Sequence, residues 1–147
     1  NYLRTGYSDK QEAQKILELL NSEPTNNLEG EQPYDDECAE EYIKGKSFET
    51  FVAEIGGKVA GVTIAHVRRI GKYAELYHTI VDKKYRRKGI GEKLYKFREN
   101  HLKKLGIVYV FLFTTLDNMA MQKLAEKSGY KKGKKFFAYS KVLIKKK

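Results

Sequence analysis

Apolar residues recur at helical spacing in some stretches of the chain and at strand spacing in others, and the two periods alternate in a definite order. Ala13, Ile16, Leu17 and Leu20 fall on one face of a helix over about residues 9 to 20. A short first strand within residues 2 to 7 precedes it, and Ser8 with Gln11 three positions on forms a capping-box entry. Residues 48 to 55 and 58 to 69 are rich in Phe, Val, Thr and Ile, and the Gly56-Gly57 pair between them suits a tight antiparallel hairpin. A third strand from about 73 to 81 runs through a basic turn into a helix over about 90 to 105, whose Ile90, Leu94, Phe97 and Leu105 are spaced to face a core and which Gly106 stops. Residues 107 to 113 are almost wholly apolar, the pattern of a central strand covered on both faces. A short helix over about 118 to 128, capped by Asp117 or Asn118 and closed by Gly129, leads to a last strand over 136 to 144.

The periodicity gives way between Ser22 and Tyr42. That stretch holds eight acidic residues, both prolines (Pro24 and Pro33) and neither Lys nor Arg, and reads as a loop leading into a short acidic helix that ends near Gly45. The element order is therefore β-α-α-β-β-β-α-β-α-β. The step from the strand at 73 to that at 113 calls for a parallel crossover through the intervening helix.

At 147 residues the chain matches one domain over 1–147. With 33% charged and 41% hydrophobic residues its composition is globular, which argues against disorder and against a membrane protein. The net charge of +10 is divided unevenly. Residues 1 to 71 hold 8 Lys and Arg against 13 Asp and Glu, whereas residues 72 to 147 hold 21 against 6, so the halves should prefer opposite partners. Cys38 stands alone, so no intrachain disulfide, thiol metal cluster or zinc site is expected, in keeping with a reducing compartment. There is no apolar run of about 18 residues and no leader pattern at Asn1 to Arg4, and the expected location is cytoplasmic, away from membranes.

The most informative stretch runs from Val81 to Glu92, a strand passing through a basic, glycine-containing turn into a helix. Gly89 and Gly91 allow a diphosphate to approach the backbone, the helix N-terminus offers N–H groups and partial positive charge, and Arg86, Arg87 and Lys88 add affinity. At this point the chain resembles the GNAT superfamily of N-acetyltransferases. The family's R/Q-x-x-G-x-G/A signature is met by Arg86-Arg87-Lys88-Gly89-Ile90-Gly91, and its N-x-x-A-x-x-L-Y-E-K-x-G-F motif by Asn118 through Tyr130, with Asn118, Leu124, Glu126, Lys127, Gly129 and Tyr130 in register.

The resemblance implies an α/β fold, a mixed and mostly antiparallel sheet of six to seven strands flanked by helices, with acetyl-coenzyme A as cosubstrate. By the same resemblance, Arg86, Arg87, Lys88, Gly89, Ile90, Gly91 and Glu92 hold the pyrophosphate. Thr79, Ile80 and Val81 pair with the pantetheine arm where two strands splay apart, Asn118 and Lys127 belong to the cofactor site, and the Val81 N–H takes the oxyanion role at the thioester.

Transfer to an amine requires that it lose a proton, that the developing oxyanion be stabilised and that a thiolate leave. Glu75 lies six residues before Val81, the offset at which the histone-acetyltransferase branch carries its catalytic glutamate, and is the first choice of base. Strand alternation sets Tyr77 and Thr79 on the Glu75 face and His78 on the other unless a bulge intervenes; His66 and His101 read as packing or surface residues. The family's usual general acid, the tyrosine of L-Y-E-K, is replaced by Ala125, leaving Tyr139 or water as the donor. The segment Val110 to Phe113 also lacks the glutamate that ribosomal-protein N-terminal acetyltransferases carry there.

In the family the stretch after the first helix lines the acceptor side, so its acidity points to a cationic acceptor, a polyamine-like molecule or a basic peptide amine. A coenzyme A-binding regulatory module with little catalysis is the alternative, motivated by Ala125. Nucleic-acid binding ranks last because the lysines are scattered, and a homodimer is left open.

Overall fold

The computed structural model describes residues 2–6, 10–22, 41–42, 45–139, 141 and 143–144. Two strands form its centre. β2 (Phe48–Ile55) and β3 (Lys58–Arg68) pair antiparallel with Val52 opposite Val62, and the turn between them uses Gly56 and Gly57 at φ +58° and +77°, angles at which a Cβ would be strained. β1 (Tyr2–Thr5) adds to the outer side of β2, and β4 (Tyr73–Val81) adds antiparallel to β3. β5 (Tyr109–Phe111) pairs parallel with β4, as the helical crossover requires, giving a five-stranded sheet in the order β1-β2-β3-β4-β5.

Helices cover both faces. On one, α1 (Lys10–Ser22) sets Ile16, Leu19 and Leu20 against Val52, Val62, Ile64 and Ile80. On the other, α2 (Ile90–Lys104) packs Ile90, Leu94 and Leu102 against Phe51, Ala60, Ala65 and Leu76. Because both faces of β3 are covered, Val59 to Ala65 are buried without interruption, the pattern of a strand at the middle of a layered domain. α2 comes so close that a Cβ on Gly61 would stand 3.1 Å from both the Ile80 carbonyl oxygen and Leu94 Cδ1. α3 (Met119–Lys127) follows β5 and is closed by Gly129 at φ +91°.

Three expectations change. The apolar run 107 to 113 is not the best-buried strand: only three of its residues pair, at the edge of the sheet, and Val108 and Tyr109 are 79% and 62% exposed. No further strand covers it, since residues 131–139 carry no helix or strand and Phe136, Phe137 and Tyr139 are exposed, so the described residues show five strands where six to seven were expected. The buried stripe of α2 steps by four from Ile90 through Leu94 and Arg98 to Leu102, with Tyr95 beside it. Leu105, expected in the core, is exposed at the C-cap, and Phe97 is half-buried. Ser8 and most of the acidic segment, with Cys38, lie outside the described residues; Glu41 and Tyr42 are helical. No helix among the described residues is long and apolar enough to cross a membrane.

Candidate active site

Divergence of two parallel strands creates the site. β4 and β5 stay paired for three positions, ending at Glu75 opposite Phe111, and β4 then continues to Val81 with no partner on that edge among the described residues. The Asp82 N–H donates to the Ala60 carbonyl at 2.8 Å, toward β3. Peptide groups alternate along a strand, so the Val81 N–H faces the other way, to the edge that β5 has left.

The basic turn closes the end of this edge. Asp82 caps a 3₁₀ turn (Lys83–Tyr85), its Oδ1 accepting the Lys84 N–H at 3.1 Å, while its Oδ2 meets Lys15 Nζ of α1 at 2.7 Å. The Lys15 ammonium, then the Lys84 N–H, holds the Asp82 carboxyl below the usual carboxylate range. Arg86 Nε donates to the Val81 carbonyl at 2.9 Å, fastening the turn to the strand. Gly89 then sits at φ +74° as the N-cap of α2, with no side chain to cap it, and a Cβ built there would meet nothing within 4 Å. The first N–H groups of the helix, Ile90 to Glu92, thus open onto unfilled space beside the exposed Arg87 and Lys88. Gly91 is tighter, its would-be Cβ 3.4 Å from Leu124 of α3.

Two residues assigned to the cofactor are already engaged. Lys127 Nζ lies 2.6 Å from Glu92, bridging α3 to the start of α2, and Asn118 Oδ1 accepts the Met121 N–H at 3.1 Å as the cap of α3. Thr79 Oγ1 lies 2.8 Å from Thr63 Oγ1, and Ile80 is buried on the α1 side.

Glu75 is half-buried on that α1 side, where the Tyr77 hydroxyl donates to its Oε1 at 3.4 Å and His66 is its register partner on β3. Burial pushes the Tyr77 hydroxyl up, and the Glu75 charge adds to the shift. Burial, then the Arg68 charge, lowers His66, whose ring stacks on Phe48 at 4.4 Å. Tyr42, at the end of the acidic segment, packs 6.1 Å from Tyr77 and 5.8 Å from His78, so that segment ends beside the Glu75 face. Glu41 adds negative charge felt at both His66 and Tyr77.

Simple alternation fails at one point in β4. Thr63 faces Thr79 but Ile64 faces Tyr77, so the register between β3 and β4 steps over His78 as an extra residue. This bulge brings His78 to the Tyr42 and Tyr77 side rather than the opposite face, and it turns Thr79 to the α2 side, away from Glu75. Burial alone lowers His78. His101 packs on Phe51 with its Nε2 3.7 Å from Glu49, a surface-and-packing position as expected.

Arg98 is the residue that pattern reading missed. It is 1% exposed in the middle of α2, its Nη1 donating to Thr63 Oγ1, to the Tyr77 carbonyl at 3.3 Å and to the Ile64 carbonyl at 3.4 Å, with its guanidinium 4.6 Å from the Tyr95 ring centre. Its signal was an arginine lying in register with the apolar stripe Ile90, Leu94 and Leu102.

A family profile described as "Acetyltransferase (GNAT) family" matches residues 13–130. The chain belongs to that family. It is accordingly an N-acetyltransferase, with acetyl-coenzyme A as cosubstrate.

Solved GNAT folds superpose over nearly the whole chain. An aminoglycoside acetyltransferase from an uncultured soil metagenomic sample, in complex with sisomicin, is 19% identical with a TM-score of 0.73, covering 96% of this chain and 96% of its own. The aminoglycoside N-acetyltransferase AAC(6')-Iy, with a bisubstrate analogue of coenzyme A, is 16% identical with a TM-score of 0.75, covering 97% and 99%. The ribosomal-protein-S18-alanine N-acetyltransferase from Escherichia coli is 20% identical with a TM-score of 0.73, covering 90% and 80%.

Proposed function

We propose that this GNAT protein, as one domain over 1–147, moves the acetyl group of acetyl-coenzyme A directly to a primary amine of a cationic acceptor in a ternary complex. The carrying observation is the uncapped, basic Gly89 turn at the end of a β4 edge that no strand among the described residues occupies. In this reading Arg86, Arg87, Lys88 and the N–H groups from Gly89 to Glu92 hold the pyrophosphate, and the Thr79–Val81 edge pairs with the pantetheine. Asn118 and Lys127 approach from α3, through the amide nitrogen and the ammonium that their present contacts leave some room to use. The Val81 N–H meets the thioester oxygen as charge develops there, while Glu75 takes the proton that the amine must lose, directly or through water.

A cationic acceptor is supported by Glu75 itself, by Glu41 beside His66 and Tyr77, and by Tyr42, which ends the acidic segment on that face. Aminoglycosides, the named substrates of two of the similar structures, are polyamines of this chemical class. The α3 position of the family's proton donor is the buried Ala125, and Tyr139 is 92% exposed, so water is left to protonate the leaving thiolate. That gap is what favours the second reading, a coenzyme A-binding module with little turnover.

Thermal melting with acetyl-coenzyme A, followed by thiol release over a panel of polyamines, aminoglycosides and basic peptides, tests both. Ligand at a hundredfold excess over Kd adds about 2.7 kcal/mol of stability, which a melting curve resolves. Stabilisation with release of thiol supports the transferase; stabilisation without turnover on any amine supports the module. No stabilisation would overturn the assigned cofactor site.

A further inference from the structure

A buried arginine with no carboxylate partner is costly, because removing a guanidinium from water costs several kcal/mol that an ion pair or full hydrogen bonding must offset. Among the described residues Arg98 forms no ion pair, and its Nε and Nη2 meet no hydrogen-bond acceptor in good geometry; the Tyr95 hydroxyl and the more distant Glu99 charge only partly offset its burial. What it does hold is specific. Nη1 reaches the Tyr77 carbonyl and Thr63 Oγ1; the Thr63 hydroxyl in turn donates to the His78 carbonyl at 2.8 Å and lies 2.8 Å from Thr79 Oγ1. His78 is the extra residue of the bulge, and Tyr77 beside it is the register partner of Ile64. The charged side chain thus reaches the backbone of the bulge, the Tyr77 carbonyl directly and the His78 carbonyl through Thr63. Three residues further on, the Val81 N–H faces the open edge.

We infer that Arg98 is a positioning residue for acetyl transfer: it holds the Tyr77 carbonyl directly and the His78 carbonyl through Thr63, and so fixes the direction of the β4 N–H groups that face the open edge, Val81 included. The inference rests on the reading that this edge receives the thioester. It explains why a core position in register with Ile90, Leu94 and Leu102 carries a charge. An apolar residue there would pack, and burial of a neutral side chain in place of an unpaired charge often costs nothing or stabilises. It would take the Arg98 N–H away from the Tyr77 carbonyl and from Thr63 Oγ1, leaving the Thr63 hydroxyl less firmly directed at the His78 carbonyl and the peptide planes beside the site freer to rotate. Arg98 is too deeply buried to touch a substrate, so its effect passes through the backbone of β4.

The test compares the wild type with Arg98→Met, Arg98→Lys and Thr63→Val. It uses hydrogen–deuterium exchange of the segment 76–82 and steady-state thiol release from acetyl-coenzyme A with spermidine and a lysine-rich peptide as acceptors. Arg98→Met should melt within a few degrees of the wild type, exchange that segment about tenfold faster, and lose about ten- to a hundredfold in kcat while the KM for acetyl-coenzyme A moves by about twofold or less. Arg98→Lys, able to reach one carbonyl, should recover part of kcat. Wild-type exchange and wild-type kcat in Arg98→Met would overturn the inference, as would equal losses in kcat and cofactor affinity, which mean general damage. If Arg98→Met does not fold, Thr63→Val must show the same split, and its failure to do so overturns the inference equally. A wild type that releases no thiol overturns the transferase reading instead, and the exchange comparison then decides on its own whether Arg98 holds the bulge.

Discussion

At the scale of single residues the proposed chemistry turns on Glu75. Its carboxylate is half-buried, and the Tyr77 hydroxyl points at it from two residues along the same strand. A base that is also hydrogen-bonded and near aromatic rings is held in place before the amine arrives, and a positioned base contributes about 10² to 10⁴ in rate. Glu75→Gln keeps the shape and the hydrogen bond while removing the proton acceptor. Its kcat should fall by about that range with acetyl-coenzyme A affinity unchanged in a calorimetric titration; full activity would remove Glu75 from the chemistry. His78 makes a separate prediction about stability. Its folded pKa lies below the 6.5 of the free side chain because burial disfavours the imidazolium. The unfolded chain therefore binds this proton first as pH falls, and stability from neutral His78 is full above about 6.5 and declines toward the lower folded value. Melting temperature should drop on going from pH 7 to pH 5, and His78→Gln should flatten that drop; an identical profile in the variant would show that His78 does not contribute.

At the scale of elements, the strands that make the core were legible because their patterns are local. Phe48–Ile55 and Tyr73–Val81 fall where the run of β-branched and aromatic residues begins and ends, and the hairpin between β2 and β3 follows from two glycines. What escaped the pattern depends on partners. The bulge at His78 exists only as a mismatch of register between β3 and β4, so a side-chain alternation read along β4 alone misplaces Thr79 and His78. The apolar run 107 to 113 looks like a covered central strand, yet its covering depends on a segment, 131–139, that forms no strand beside it. The strand-to-helix turn at Gly89 was legible, and its proposed role as an anion cradle carries a prediction of its own. Gly89→Asn and Gly89→Asp have nearly the same size, both tolerate positive φ better than other side chains, and a Cβ at Gly89 enters open space. Both variants should therefore fold. Asp should weaken acetyl-coenzyme A binding far more than Asn, by about tenfold or greater, because only Asp sets a negative charge among the helix N–H groups that the pyrophosphate needs. Equal affinities for the two would place the phosphates elsewhere.

At the scale of the whole molecule the decisive quantity is the division of charge. The N-terminal 71 residues are net acidic and the rest strongly basic, and the fold sets opposite charges on two sides of one sheet edge: Arg86, Arg87 and Lys88 at the turn beyond Val81, and Glu41 of the acidic half with Glu75 of the basic half on the α1 face. In the proposed reading each side attracts a substrate of opposite sign, a polyanionic cofactor in one case and a polycation in the other. Two attractions of this kind weaken with salt independently, since the Debye length shrinks from about 10 Å at 0.1 M to about 3 Å at 1 M. Over that range kcat/KM for a polyamine should fall by about tenfold or more, and that for a monoamine acceptor of low charge by much less. The KM for acetyl-coenzyme A should rise with salt to the same extent whichever amine is present, because its phosphates meet only the basic turn. Measuring both constants for both acceptors separates the two effects in one experiment. A polyamine constant no more salt-sensitive than the monoamine constant would show that the acidic half takes no part in choosing the acceptor, and would leave the basic turn as the one electrostatic device of the site.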